Sequence, residues 1–173
     1  LAGVMQFAEA PLSTDPDGSP TDPKRSRARY CRWTFDPPGN TDRFTKTYLD
    51  DLTGEFPPVD YRRAGLASNH GWYACANPDL PMVGGLSGIV HVDGRGKRLG
   101  HYLLPAGDTI SEPVFVERSA DAAEGDGWLL AVVWRARENR SDLAVFNAQD
   151  VEAGPTALVH LGPPVPAGFH GNW

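Results

Sequence analysis

A chain of 173 residues, 40% of them hydrophobic, with a formal net charge of −6, describes a folded and mildly acidic body of ordinary domain size rather than a disordered one. No basic face is evident, so nucleic acid is not expected as a partner. No apolar run approaches the roughly 20 residues that span a bilayer, and no secretory leader opens the chain; a cytoplasmic location without a transmembrane segment is expected.

The chain begins at Leu1 rather than Met and stops at Trp173, which suggests a piece of a longer protein. Residues 9–28 are polar and rich in Pro, Asp and Ser, so they read as a long surface loop; the basic run from Lys24 to Arg29 is its solvated edge. Arg29 to Phe35 alternates, with Cys31, Trp33 and Phe35 on one face. Pro37-Pro38-Gly39-Asn40 turns, and Arg43 to Leu49 returns as a second strand. Phe56 to Val59 follows Glu55 as an expected inner strand, then Gly71 to Ala76, Gly88 to Val92 and Arg98 to Leu104. Asp93-Gly94-Arg95-Gly96 is the hairpin turn between the last two. Glu112 to Glu117 repeats the inner strand. Trp128 to Trp134 is apolar enough for a strand covered on both faces, and Asp142 to Phe146 and Thr156 to Leu161 complete the set. Gly168 to Trp173 opens another inner strand.

No amphipathic helix intervenes, and the 19 Gly and 16 Pro fall between short apolar runs, as in all-β domains. The units run from about 29 to 49, 55 to 104 and 112 to 161, with the next beginning at 168. They describe two and a half to three blades of a β-propeller, the whole chain being the C-terminal portion of one such domain. A plain sandwich is the alternative, and the near-constant unit length favours the propeller. Cys31 and Cys75 lie in strand-like runs and read as buried, reduced thiols.

Glu55, Glu112 and His170 recur in phase: the steps from residue 55 to 112 and from 112 to 170 are 57 and 58 positions. In equivalent places of successive blades, two carboxylates and an imidazole converge near a common axis and suit a metal centre. His70, His91, His101 and His160 lie out of phase and read as solvated or edge residues. His91 and His101 flank one hairpin and could pair across it, but two imidazoles alone make a poor metal site.

The runs Trp33-Thr34-Phe35, Gly54-Glu55-Phe56-Pro57, Ser111-Glu112-Pro113-Val114-Phe115-Val116, Asp126-Gly127-Trp128-Leu129-Leu130, Ser141-Asp142-Leu143 and Gly168-Phe169-His170-Gly171 together resemble the C-terminal part of the carotenoid cleavage oxygenases. That family includes the apocarotenoid and lignostilbene dioxygenases and the retinal pigment epithelium isomerase. The likeness covers about Tyr30 to the end. It implies a seven-bladed propeller with Fe(2+) on its axis, held by four histidines, three of which lean on glutamates. Carried over by motif, His170 is one iron ligand, and Glu55 and Glu112 are two supporting glutamates; Phe169, which precedes the ligand, reads either as a lining residue of the substrate tunnel or as a core aromatic. The other ligand histidines belong to motifs absent from this segment. The implied partners are a lipophilic or aromatic alkene, O2 and the remainder of the polypeptide. The implied reaction is scission of a conjugated C=C bond into two carbonyls, and the segment alone is expected to be inactive. A non-catalytic propeller or sandwich binding module is the alternative.

Overall fold

The computed structural model describes residues 28–35, 43–80, 85–166, 168, 170 and 171. They form two five-stranded antiparallel sheets and two single turns of 3-10 helix, with no α-helix among the described residues. Among the described residues no helix is long and apolar enough to cross a membrane.

The first sheet is a meander. It runs β1 (Arg29–Phe35), β2 (Phe44–Glu55), β3 (His70–Cys75), β4 (Gly88–Asp93) and β5 (Arg98–Leu103), each strand beside the next. β2 serves two partners. Its first residues pair with β1, from Phe35 opposite Phe44 to Cys31 opposite Tyr48, and its last two pair with Cys75 and Ala74 of β3. Gly54 makes the second pairing possible, because a Cβ there would sit 2.4 Å from the Ala74 carbonyl oxygen and from the Tyr73 ring. Between the two pairings, Asp50 turns inward and accepts a fork from Arg98 at 2.9 and 2.6 Å. Burial pushes the Asp50 carboxyl up, but Arg98 and the Leu52 N–H hold it below the usual carboxylate range.

The expected inner strand from Phe56 to Val59 is not formed. β2 instead continues through Glu55, and the chain leaves the sheet at Phe56, whose φ is 56°. Pro57 and Pro58 follow and have no N–H to give a ladder. The turn after β4 is as expected: the Asp93 carboxylate accepts from the Arg95 and Lys97 N–H groups, and Gly96 takes a φ of 91°.

The second sheet places β10 (Pro155–His160) beside β9 (Arg140–Asn147), and β9 beside β8 (Gly127–Arg135). The far edge of β8 pairs with two short strands in line, β6 (Thr109–Ile110) and β7 (Val114–Glu117). Glu112 therefore stands in a break between strands and does not begin one. Along β8 the alternation is strict: Leu129, Ala131 and Val133 are buried, while Leu130, Val132 and Trp134 are half-buried. One face is fully covered, not two. The expected strand at Gly168 is likewise absent at the described positions 168, 170 and 171.

The sheets share one core. Trp72, Ala74 and Ile89 of the first pack with Phe115, Leu129, Val133, Ala144 and Phe146 of the second. On its other face, the first sheet packs Tyr73, Cys75, Val90 and Val92 under Tyr30. Burial pushes the Cys75 thiol up to about 12, so it stays protonated and inert. At one end the units are also tied by polar contacts. Arg62 is gripped by Asp60 at 2.6 Å and donates to the carbonyls of Ser119, Ala120 and Ala122.

Candidate metal centre

Glu55 closes β2, and its backbone is fixed opposite Ala74. Glu112 is presented by the break between β6 and β7. That break has a local cause. Pro113 cannot donate, and Ser111 takes over the pairing with β8: its N–H donates to the Val132 carbonyl at 2.8 Å, and its Oγ accepts from the Val132 N–H at 2.9 Å. The ladder is satisfied while the next residue is turned off the sheet.

The Glu112 carboxylate meets the last described stretch of chain. Its Oε2 lies 3.1 Å from His170 Nδ1 and accepts from the Gly171 N–H at 2.9 Å. A carboxylate only accepts, so the proton of the neutral imidazole is on Nδ1 and the lone pair is on Nε2. The His170 ring also stands nearly perpendicular to the Phe56 ring, with centroids 5.9 Å apart and an interplanar angle of 85°. Glu55, Phe56, Ser111, Glu112, Trp134 and His170 all line one cavity of about 700 Å³, with Leu86, Ile110 and Val132 supplying apolar wall.

The three phased residues thus reach one cavity wall. The structure joins His170 to Glu112, and among the described residues it gives Glu55 no histidine. No cluster of three or more His, Cys, Asp or Glu that could hold a metal occurs among the described residues. The donor chemistry nevertheless fits a metal at His170: an imidazole whose Nδ1–H is held by a carboxylate presents a basic Nε2 in a fixed tautomer. Phe169 lies outside the described residues.

Sequence reasoning missed Ser111 and Phe56. The Ser-Glu-Pro run was a readable signal for the first, since proline inside a strand marks a break. It also misplaced His91, whereas His160 and His101 lie on the edge strands β10 and β5 as expected. His91 is buried, not solvated, and lies opposite Gly100, so it does not pair with His101. Its Nε2 lies 2.9 Å from His70 Nδ1, and both rings stack on Trp72. Burial pushes His91 down to about 4, with His70 adding to the effect. His160 bonds Asp142 at 2.7 Å, and Arg140, His160 and Arg135 hold that buried carboxyl far below its usual range.

The described residues are all β and set a carboxylate-bonded imidazole on the wall of a part-apolar cavity, and comparison with known proteins shows the family to which such a chain belongs. The family model described as retinal pigment epithelial membrane protein matches residues 4–173. The chain is 35% identical over 177 residues to lignostilbene-alpha,beta-dioxygenase isozyme III of Sphingomonas paucimobilis, covering 94% of this chain and 35% of that protein. It is 32% identical over 161 residues to isoeugenol monooxygenase of Pseudomonas nitroreducens, covering 89% and 34%. A crystal structure of cobalt-substituted Synechocystis apocarotenoid oxygenase superposes with a TM-score of 0.81 at 28% identity, over 96% of this chain and 35% of that one. The chain belongs to the retinal pigment epithelial membrane protein family, that of the carotenoid cleavage oxygenases. It spans about a third of the length of the relatives it matches.

Proposed function

We propose that the complete polypeptide is a non-haem Fe(2+) dioxygenase, and that this chain is the C-terminal part of its propeller. The observation that carries the reading is the Glu112–His170 pair on the wall of the cavity that Glu55 also lines. His170 Nε2 is one iron ligand. The remaining ligands are histidines elsewhere in the polypeptide, and Glu55 supports one of them as Glu112 supports His170. When bound, ferrous iron supplies the redox chemistry that lets O2 react with a closed-shell alkene.

The chain's own residues do the rest. Glu112 keeps the proton on Nδ1 and raises the basicity of Nε2 without occupying a coordination position. Glu55 and Glu112 place negative charge near a cationic centre. Phe56, Leu86, Ile110, Val132 and Trp134 give the cavity an apolar wall that excludes water and favours a flat, conjugated substrate. The substrate is a phenolic stilbene or an apocarotenoid, classes named by relatives of this chain. The net reaction is R–CH=CH–R′ + O2 → R–CHO + R′–CHO. The double bond breaks, each carbon receives one oxygen atom, and no external reductant is consumed.

The test is metal analysis of the complete protein, followed by product assay with a stilbene and an apocarotenal. Wild type is expected to carry iron and yield two aldehydes from at least one of them. A His170→Ala variant is expected to lose both iron and turnover. Full iron occupancy and activity in that variant would overturn the assignment. A protein that holds no iron and converts neither substrate would point to a binding module.

A further inference from the structure

Among the described residues only two besides glycine have positive φ, Asn139 at 47° and Phe56 at 56°. Asn139 is ordinary, because asparagine tolerates the left-handed region in a hairpin turn. Phe56 is not. A bulky aromatic residue there is an outlier, and the following Pro57 restricts its backbone further. Glycine would satisfy the turn at the end of β2 with no such conflict. The side chain must therefore contribute something that offsets the backbone conformation.

The geometry points to a positioning role: we propose that the left-handed turn at Phe56 exists to set its ring edge-to-face against His170 and thereby fix the plane of that imidazole. The proposal rests on the metal-ligand reading of His170. The hydrogen bond at Nδ1 restrains where that atom sits, and rocking of the ring about the Nδ1···Oε2 line is the motion that a contact on the ring face or edge restrains. A perpendicular aromatic contact at 5.9 Å opposes that rocking. Both contacts act on the direction in which the Nε2 lone pair points. They come from different sheets, Phe56 from the end of β2 and Glu112 from the break beside β8, so the imidazole is aligned across the junction between the two units.

The experiment uses the complete polypeptide loaded with Co(2+), whose visible d–d bands report ligand geometry, with metal release to a chelator as a second readout and thermal midpoint as a third. Phe56→Gly relieves the backbone and deletes the ring. Phe56→Leu keeps apolar volume without the ring, and Phe56→Tyr keeps the ring. Phe56→Gly is expected to release metal about tenfold faster with shifted d–d bands, and its thermal midpoint to stay near that of wild type. Phe56→Leu should move the same way by less, and Phe56→Tyr should match wild type. Wild-type release and bands in both Gly and Leu variants overturn the proposal. So does a loss of thermal midpoint that parallels the loss of metal in both, since that marks a merely structural role. His170→Ala separates the two levels of argument. If it keeps metal and bands, the ligand reading fails. If it loses them while Phe56→Gly is unchanged, only the positioning role fails.

Discussion

His91 illustrates how one residue sets a pH limit on the fold. It is 2% exposed, faces His70 and Trp72, and has Asp93 nearby, while the Glu124 carboxylate accepts from the backbone N–H of His70. Its folded-state value of about 4 lies below the ordinary 6.5, so the unfolded chain binds the proton more readily. Stability from this group is therefore present above pH 6.5, declines as pH falls through that window, and is lost below about 4. We expect the complete protein's unfolding midpoint to fall on acidification from pH 6.5 to 4. His91→Gln, which keeps a polar partner for His70 but cannot titrate, should flatten that slope by an amount on the order of 1–3 kcal/mol. Identical pH profiles for the two proteins would exclude His91 as the source. Nothing local in Val90-His91-Val92 announced this burial. It follows from pairing with β3, which sets Trp72 opposite His91 and completes a stack that no single strand contains.

At the scale of elements, the break between β6 and β7 is the device that turns a strand into a site. Ser111 substitutes its hydroxyl for a backbone acceptor, so the sheet survives the interruption. Ser111→Ala leaves the Val132 N–H without that acceptor and is expected to cost about 1 kcal/mol in denaturant unfolding and to weaken metal retention. Unchanged stability and retention would show that the break does not depend on the hydroxyl. Most strands were legible from alternation and turn chemistry, both of which are local. β8 reads directly from Trp128 to Trp134, and the turn after β4 from Asp93-Gly94. The start of the first sheet was less legible. Whether Glu55 ends a strand or begins one is decided by pairing with Ala74 across 19 positions of sequence, not by its neighbours. The phase of Glu55, Glu112 and His170 was legible because side chains that meet at one wall recur once per unit. Phe56 escaped notice because its backbone angle is invisible in a string of letters.

For the molecule as a whole, the shared core makes the two sheets one cooperative body. Leu129 is fully buried among residues of both. Leu129→Ala is expected to destabilise the complete protein by about 2–5 kcal/mol, through lost burial and the cavity left behind. Fluorescence of the tryptophans in β3 and β8 should report one transition in wild type and variant alike. Two resolved transitions would show that the sheets unfold independently. The Arg62 contacts act in the same sense, because they join the loop after β2 to the turn before β8.

The Glu112–His170 bond closes a separation of 58 residues. A ribosome adding about 5–20 residues each second reaches the imidazole roughly 3–12 s after its carboxylate partner. Through that interval every strand from β7 to β10 is synthesised, so the partners that hold Glu112 precede the ring in the chain. The meeting of the two side chains is thus ordered by translation itself, the acidic receptor being made first and the ring 58 residues later.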